Sequence, residues 1–332
     1  MLTFKENSWW KILVIGTFLL LAIVCIFMSL AFGAVDVSLS TILAIVTGDK
    51  GADAYTIIWN IRLPRTFVAA LVGMNLAVAG TLLQGVMRNP MADPHIIGVS
   101  SGAGLFGMFI LLAFPSYTHL LIPSAFVGAM AAALLVYVLA WNKGVTPMRI
   151  ILAGVAVSAF LNSLVSALFT FYSDRVQGAL GFMVGTLSAK GWANFHMLLP
   201  YSIIGVMLAL LGSKPMNLLL LGDSEARSLG LNTERYRLWF VAISALLAAS
   251  AVSVVGLLGF VGLIVPHAAR LLIGNDYRIL LPCSALLGIA VLTASDTLAR
   301  VVVDPIELPV GIVMGAVGAP FFLYLLRRKN SL

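Results

Sequence analysis

From Ile12 to Leu30 the chain runs through nineteen residues without a charge and without alternation of apolar and polar positions. About 20 such residues form a helix that crosses the ~30 Å hydrocarbon layer of a bilayer. The other spanning solution, a closed barrel, needs strands that alternate every second residue, and that pattern is absent here. Comparable runs recur along the 332 residues, 61% of which are hydrophobic and only 10% charged. A soluble domain carries about 25% charged residues, so this chain has too little polar surface to cover a water-facing fold. Lys5 and Lys11 before the first run, and Ala31, Gly33 and Ala34 after it, imitate a secretory leader. Its length of about 20 residues exceeds the usual 7–15 of a leader core, and an uncleaved first span is expected.

The apolar runs predict an all-α polytopic protein forming one transmembrane domain over 1–332. Ten spans are expected, near 11–33, 64–86, 95–114, 120–141, 149–171, 195–212, 236–255, 258–273, 279–299 and 308–326. The connections 34–60 and 173–193 are long enough for short surface helices. Leu39, Ile42, Leu43, Ile45 and Val46 give the first of them an apolar stripe. Gly98 with Gly102, and Gly311 with Gly315, have the small-residue spacing that lets helix backbones approach. Gly256, Gly259 and Gly262 mark a tight turn or a flexible element. Cys25 and Cys283 lie inside apolar runs and are expected to be free.

An even number of spans places both termini on one side. With that side cytoplasmic, fourteen Lys and Arg residues face inward, from Lys5 and Lys11 to Arg327, Arg328 and Lys329. Six face outward: Lys50, Arg62, Arg65, Arg175, Lys190 and Arg300. The inward excess favours cytoplasmic termini and puts the polar stretch 215–231 in the cytoplasm.

No phosphate-binding G-x-x-x-x-G-K-[ST] and no H-E-x-x-H occurs, and the four histidines share no helical face. Catalytic residues, metal ligands and cofactors are therefore not assigned. Ionisable residues in a bilayer mark ion or proton paths, yet Asp296, Arg300, Asp304, Glu307 and Arg270 all fall near span ends. A bundle with no buried carboxylate at mid-span lacks the ion site of a coupled carrier. Either it is passive, or a partner drives it.

The 215–231 stretch supplies a handle for such a partner. It reads as a polar helix bracketed by Gly222 and Gly230. Asp223 or Ser224 suits the N-cap, Glu225 the first turn, and Gly230 the residue just past the end. Ala226 and Arg227 complete a peg of about two turns, ~10 Å long. A plain solvated loop helix is the competing reading.

Several blocks then resemble a known family. They are Arg62-Leu63-Pro64-Arg65, Gln84-Gly85 with Arg88-Asn89-Pro90-Met91-Ala92-Asp93-Pro94, and Gly98-Val99-Ser100-Ser101-Gly102-Ala103. Leu152-Ala153-Gly154-Val155-Ala156, Leu221-Gly222 through Gly230, and Gly259-Phe260-Val261-Gly262-Leu263-Ile264-Val265-Pro266-His267 with Arg270 follow in order. Asp296 with Ala299-Arg300, then Glu307-Leu308-Pro309-Val310-Gly311 and Gly318-Ala319-Pro320, close the set. Together, from about residue 60 to the end, they are similar to the FecCD permeases of bacterial ABC importers for iron–siderophore complexes, haem and vitamin B12.

The resemblance implies the type II importer architecture, a second permease subunit (identical or related), two cytoplasmic P-loop ATPases, and an extracytoplasmic substrate-binding protein. It implies that Gly222, Asp223, Ser224, Glu225, Ala226, Arg227 and Gly230 form the ATPase-coupling element. It also implies that Arg62, Arg65 and Arg300 meet acidic residues of the binding protein. Headgroup anchoring, or pairing within the chain with Asp296 or Asp304, stands beside that reading. On the fifth span, Ser158, Asn162 and Ser166 repeat every fourth position and share one face. They either line the translocation pathway or bond neighbouring helices. The expected function is an importer permease of the bacterial plasma membrane, with no bond chemistry of its own and an Fe(III)–siderophore as the leading cargo. Haem or cobalamin transport is the alternative within the family, and an ion-coupled carrier the alternative outside it.

Overall fold

The computed structural model describes residues 8–33, 37–49, 54–142, 144–303 and 306–329. Among the described residues the chain is helical and has no strand. Lys5, Lys50, Lys143 and Asp304 of the sequence reading lie outside these segments. In chain order the helices are α1 (Ser8–Ala31), α2 (Leu39–Val46), α3 (Leu63–Val86), α4 (Val99–Ala113) and α5 (Leu121–Ala140). Then come α6 (Pro147–Phe171), α7 (Val176–Val184), α8 (Trp192–Leu211), α9 (Ser213–Leu219) and α10 (Asp223–Ser228). The last four are α11 (Thr233–Val255), α12 (Val261–Ile273), α13 (Tyr277–Val301) and α14 (Val310–Lys329). Among the described residues, seven helices are long and apolar enough to cross a membrane, and α4, α12 and the first part of α14 are shorter apolar helices. In order, these ten correspond to the ten expected spans.

Helix α3 is the axis of the bundle. It packs on α8, α11, α12 and α13 and is buried along most of its length. Close approach to it depends on glycine. A Cβ on Gly73 would run into the backbone of Gly288 on α13, and one on Gly80 into the backbone of Gly262 on α12. Gly102 likewise meets the backbone of Gly128 where α4 crosses α5, as expected for the Gly98–Gly102 pair. Gly311 meets the carbonyl of Val184, whereas Gly315 faces open space. Helices α6 and α8 present much of their apolar surface outward, as a lipid-embedded or partner-facing helix does.

The connections behave as short surface helices. Helix α2 buries Ile42 and Ile45 of its stripe, and α7 fills the second connection. Three boundaries differ from the sequence reading. A π-wound turn, Thr56–Arg62, extends α3 backward into what reads as connection, with the Leu63 amide bonding the Ile58 carbonyl. Residues 95–97 do not start α4, because the Asp93 carboxylate caps a separate 3-10 turn, Pro94–Ile97. Helix α12 starts at Val261 rather than 258, behind Phe260 in the left-handed region at φ 69°. Both cysteines are buried and free.

Candidate functional site

The two clusters singled out by sequence lie at opposite ends of α3. Arg65 lies in its first turn and Arg88 two residues past its last, about 35 Å apart along the axis at ~1.5 Å per residue, close to one bilayer.

At the Arg88 end sits the 215–231 stretch. It is two helices, not one: α9 ends at Leu219, the chain turns through Gly222, and α10 occupies Asp223–Ser228. Gly222 has φ 128° and is itself the N-cap residue, a correction to the expected cap at Asp223 or Ser224. The physical reason is that the Asp223 carboxylate has stronger partners than a helix amide. It receives Arg237 Nη2 at 2.9 and 3.1 Å and Arg88 Nη2. These guanidinium contacts outweigh a partly unfavourable desolvation and hold the Asp223 carboxyl below the usual range. Gly230 follows the last turn at φ 83°, as expected, and the Leu231 amide bonds the Ala226 carbonyl.

Only Ala226 of α10 is fully buried, and it roots the peg. Ser224, Glu225, Arg227, Ser228 and Leu229 are exposed and form its free face. Ser224 Oγ donates to Glu225 at 2.6 Å and thereby lowers that carboxyl's pKa. Arg227 donates to Thr233 Oγ1 at 3.0 Å and lies 3.5 Å from Glu234.

Below the peg, Arg237 is 2% exposed. It donates to the Val145 carbonyl, while Glu234 accepts from the Val145 amide at 3.0 Å. Arg88 donates through Nε to the Leu219 carbonyl at 3.1 Å. Sequence reasoning takes Arg88 only as part of a family block and Arg237 only as one of the inward charges, and misses Glu234. Nothing in their spacing ties them to Asp223, since 135 and 14 positions separate the two arginines from it. Next to them, Asn217 donates to Asp276 at 2.8 Å and accepts from the Tyr277 amide at 2.9 Å, fastening α9 to the start of α13.

At the other end, the structure brings Arg62, Arg65 and Arg300 together as expected, but buries them at 5–7% exposure. Arg65 embraces Asp296 with Nε and Nη2 at 2.9–3.2 Å and reaches Glu307 with Nη1 at 2.8 Å. Arg300 lies 3.3 Å from Asp296, one helical turn away. The intrachain pairing with Asp296 is thus present for both, and their forks do not stand free in solvent. Helix α1 explains much of this burial. The last carbonyls of a helix lack partners in the helix. Arg62 donates to Leu30 O at 2.7 Å and Ala31 O at 3.0 Å, and Arg300 to Ser29 O at 2.9 Å and Phe32 O at 3.2 Å. Cations also suit the negative end of the helix dipole. Glu307, with its side chain 42% exposed, is the solvent-facing member of the network.

On α6, Ser158 is half-buried, whereas Asn162 and Ser166 are exposed on the outward surface. Ser166 Oγ donates to the Asn162 carbonyl of its own helix at 3.1 Å. The face exists as the spacing predicts, and among the described residues its side chains bond only their own helix.

Comparison with known proteins agrees with this layout. The FecCD transport family model matches residues 20–328. The Fe(3+)-citrate import system permease protein YfmD of Bacillus subtilis (strain 168) is 40% identical over 318 residues, 95% of either chain. The hemin transport system permease protein HmuU of Yersinia pestis is 39% identical, covering 96% of each. A solved chain from an inward-facing metal-chelate type ABC transporter superposes with a TM-score of 0.85 at 29% identity, over 95% of this chain and 99% of that one. On this evidence the chain belongs to the FecCD transport family.

Proposed function

We propose that this protein is the permease subunit of a bacterial ABC importer that carries Fe(III)–siderophore complexes inward across the plasma membrane. The observation that carries the reading is the exposed peg α10, rigidly seated at one end of a lipid-exposed bundle by the Asp223 contacts. A pair of such permeases encloses the pathway, with the Asn162 and Ser166 face of α6 turned toward it. Two cytoplasmic P-loop ATPases grip the Ser224–Leu229 surface. Their ATP-driven closure displaces α10, and the bundle alternates between its two openings. The Arg88 end is the cytoplasmic one, in keeping with the surplus of positive charge on that side.

At the outer end, an acid of the substrate-binding protein docks by exchange. It takes the Arg65 fork from Glu307, while Asp296 keeps the arginines charged and in place. Guanidinium accepts this exchange because its five donors serve two carboxylates at once.

The relatives include a cobalamin permease at 44% identity over 279 residues as well as the Fe(3+)-citrate and hemin proteins. Their similar identities leave cargo as the finer part of the reading. An ion-coupled carrier finds less support. Asp296, a buried carboxylate near the end of a spanning helix, is already committed to Arg65 and Arg300.

Replacing 222–230 by a Gly/Ser linker tests the coupling. The expected result is a membrane-inserted protein that no longer co-purifies with its ATPase and no longer imports. Import that survives refutes the reading. Import into liposomes driven by a pH or sodium gradient, without ATP or partners, establishes the carrier instead.

A further inference from the structure

The route by which the peg moves the bundle can be read from its fastenings. By chain connection α10 hangs between α9 and α11. Its connection to α9 runs through Leu220–Gly222, where Gly222 sits in the left-handed region at φ 128°. The side-chain contacts run elsewhere. Asp223, the first residue of α10, is gripped by Arg88, just past the end of α3, and by Arg237, in the second turn of α11.

Both grips are themselves braced. Arg237 is almost wholly buried and also bonds the Val145 carbonyl, with Glu234 bonding the Val145 amide. The loop before α6 is thereby part of the same socket. Arg88 is a non-glycine residue at φ 47°, a conformation that L side chains rarely adopt. Its guanidinium bonds the Leu219 carbonyl as well as Asp223. The left-handed turn aims that side chain across the gap between α3 and the peg. Beyond it, α3 runs without a break to the outer arginine network and packs against α12 and α13 through glycine contacts that leave no slack.

We infer that Asp223, held between Arg88 and Arg237, is the positioning residue that transmits displacement of the peg to α3 and α11. The inference rests on the coupling reading above. The peg's exposed face seats the ATPase, and the Asp223 clamp converts that seat into motion of the two most buried helices. Loss of the clamp therefore separates ATP hydrolysis from movement of the permease.

The test uses the full complex with its ATPases in lipid nanodiscs. Cys25 and Cys283 are replaced by alanine, and Asn162→Cys on α6 reports accessibility to a membrane-impermeant maleimide, with and without ATP. In the complex with an intact clamp, ATP changes the labelling rate. Asp223→Asn and Arg88→Gln alter half-exposed side chains, so the bundle still assembles. Both variants are expected to co-purify with the ATPase and to hydrolyse ATP at the parent rate, while the ATP-dependent change in labelling shrinks about tenfold. Asp223→Glu, which keeps the charge, restores most of it. A full ATP response in Asp223→Asn and Arg88→Gln overturns the clamp and leaves the coupling reading standing. Loss of ATPase co-purification in those variants also overturns it, because Asp223 then serves the seat and not the transmission. An intact-clamp complex that does not respond to ATP removes the coupling reading itself, and the clamp with it.

Discussion

Asp296→Asn isolates the electrostatics of the outer network. The substitution keeps side-chain volume and one acceptor and removes the charge. Asp296 is 1% exposed and faces two arginines, one through three hydrogen bonds of 2.9–3.2 Å and one at 3.3 Å. The amide leaves both guanidiniums buried, with the half-exposed Glu307 as the remaining carboxylate at Arg65. Breaking a buried pair from one side costs about 3–5 kcal/mol. For a chain of this size that lowers the melting temperature by roughly 4–8 °C. Thermal unfolding in nanodiscs measures it. A second arm separates charge from packing: Asp296→Leu combined with Arg65→Met removes the carboxylate with one of its two cations, leaves Arg300 on the Ser29 and Phe32 carbonyls, and avoids stranding Arg65, since replacing both members of a buried pair is often neutral or better. The double variant is expected to melt above Asp296→Asn. An unchanged melting temperature for Asp296→Asn alone refutes the argument that this network holds α1, α3 and α13 together.

Three further outcomes follow from the geometry. Glu307→Gln frees one side of the Arg65 fork, so the binding protein should dock more tightly at low ionic strength, with the gain fading as salt rises; weaker docking in a surface-binding assay counts against acid exchange. Gly80→Ala forces α3 and α12 apart, because its Cβ would overlap the Gly262 backbone, and should cost about 1–3 kcal/mol in thermal unfolding. Gly178→Ala in α7, where nothing lies within 4 Å, should be neutral or mildly stabilising.

A fourth outcome concerns pH. Asp276 is held down to about 2, first by the Arg278 side chain and further by Asn217 and the Arg278 amide, against the cost of desolvation. Its folded pKa lies below its ordinary value, so its contribution is complete above about 4 and disappears as pH falls through about 2. The difference in stability between Asp276→Asn and the parent should thus be constant near neutrality and vanish in strong acid. A difference that vanishes already at pH 6 would show that another group carries the effect.

The spans were legible because continuous apolar runs admit one structure in lipid. The expected ends lie within a few residues of the helices, whose starts are fixed by local features such as the Asn232 and Asp276 caps. Gly98 and Gly102 announced a close crossing by their spacing. Gly73 and Gly288, a close contact of α3 with α13, did not, since each is a lone glycine whose partner comes from a distant helix. The peg was legible through Gly222 and Gly230, but its cap was misread. Asp223 is a good N-cap residue locally, and only the fold reveals two arginines competing for it. Arg62, Arg65 and Arg300, assigned to one side by the topology, lie together at one end of the bundle. Their burial was not foreseen, because the carbonyl ends of α1 that they satisfy carry no mark in the side-chain sequence.

The central claim is that α10 is a cytosolic handle worked by an ATP-consuming partner. Ser228→Cys, on the free face of the peg and in a background lacking Cys25 and Cys283, tests it in whole cells with an impermeant maleimide. The account predicts no labelling of intact cells, labelling after permeabilisation, and protection when the P-loop ATPase is bound. Labelling of Ser228→Cys in intact cells would put the peg on the outer face and contradict the account.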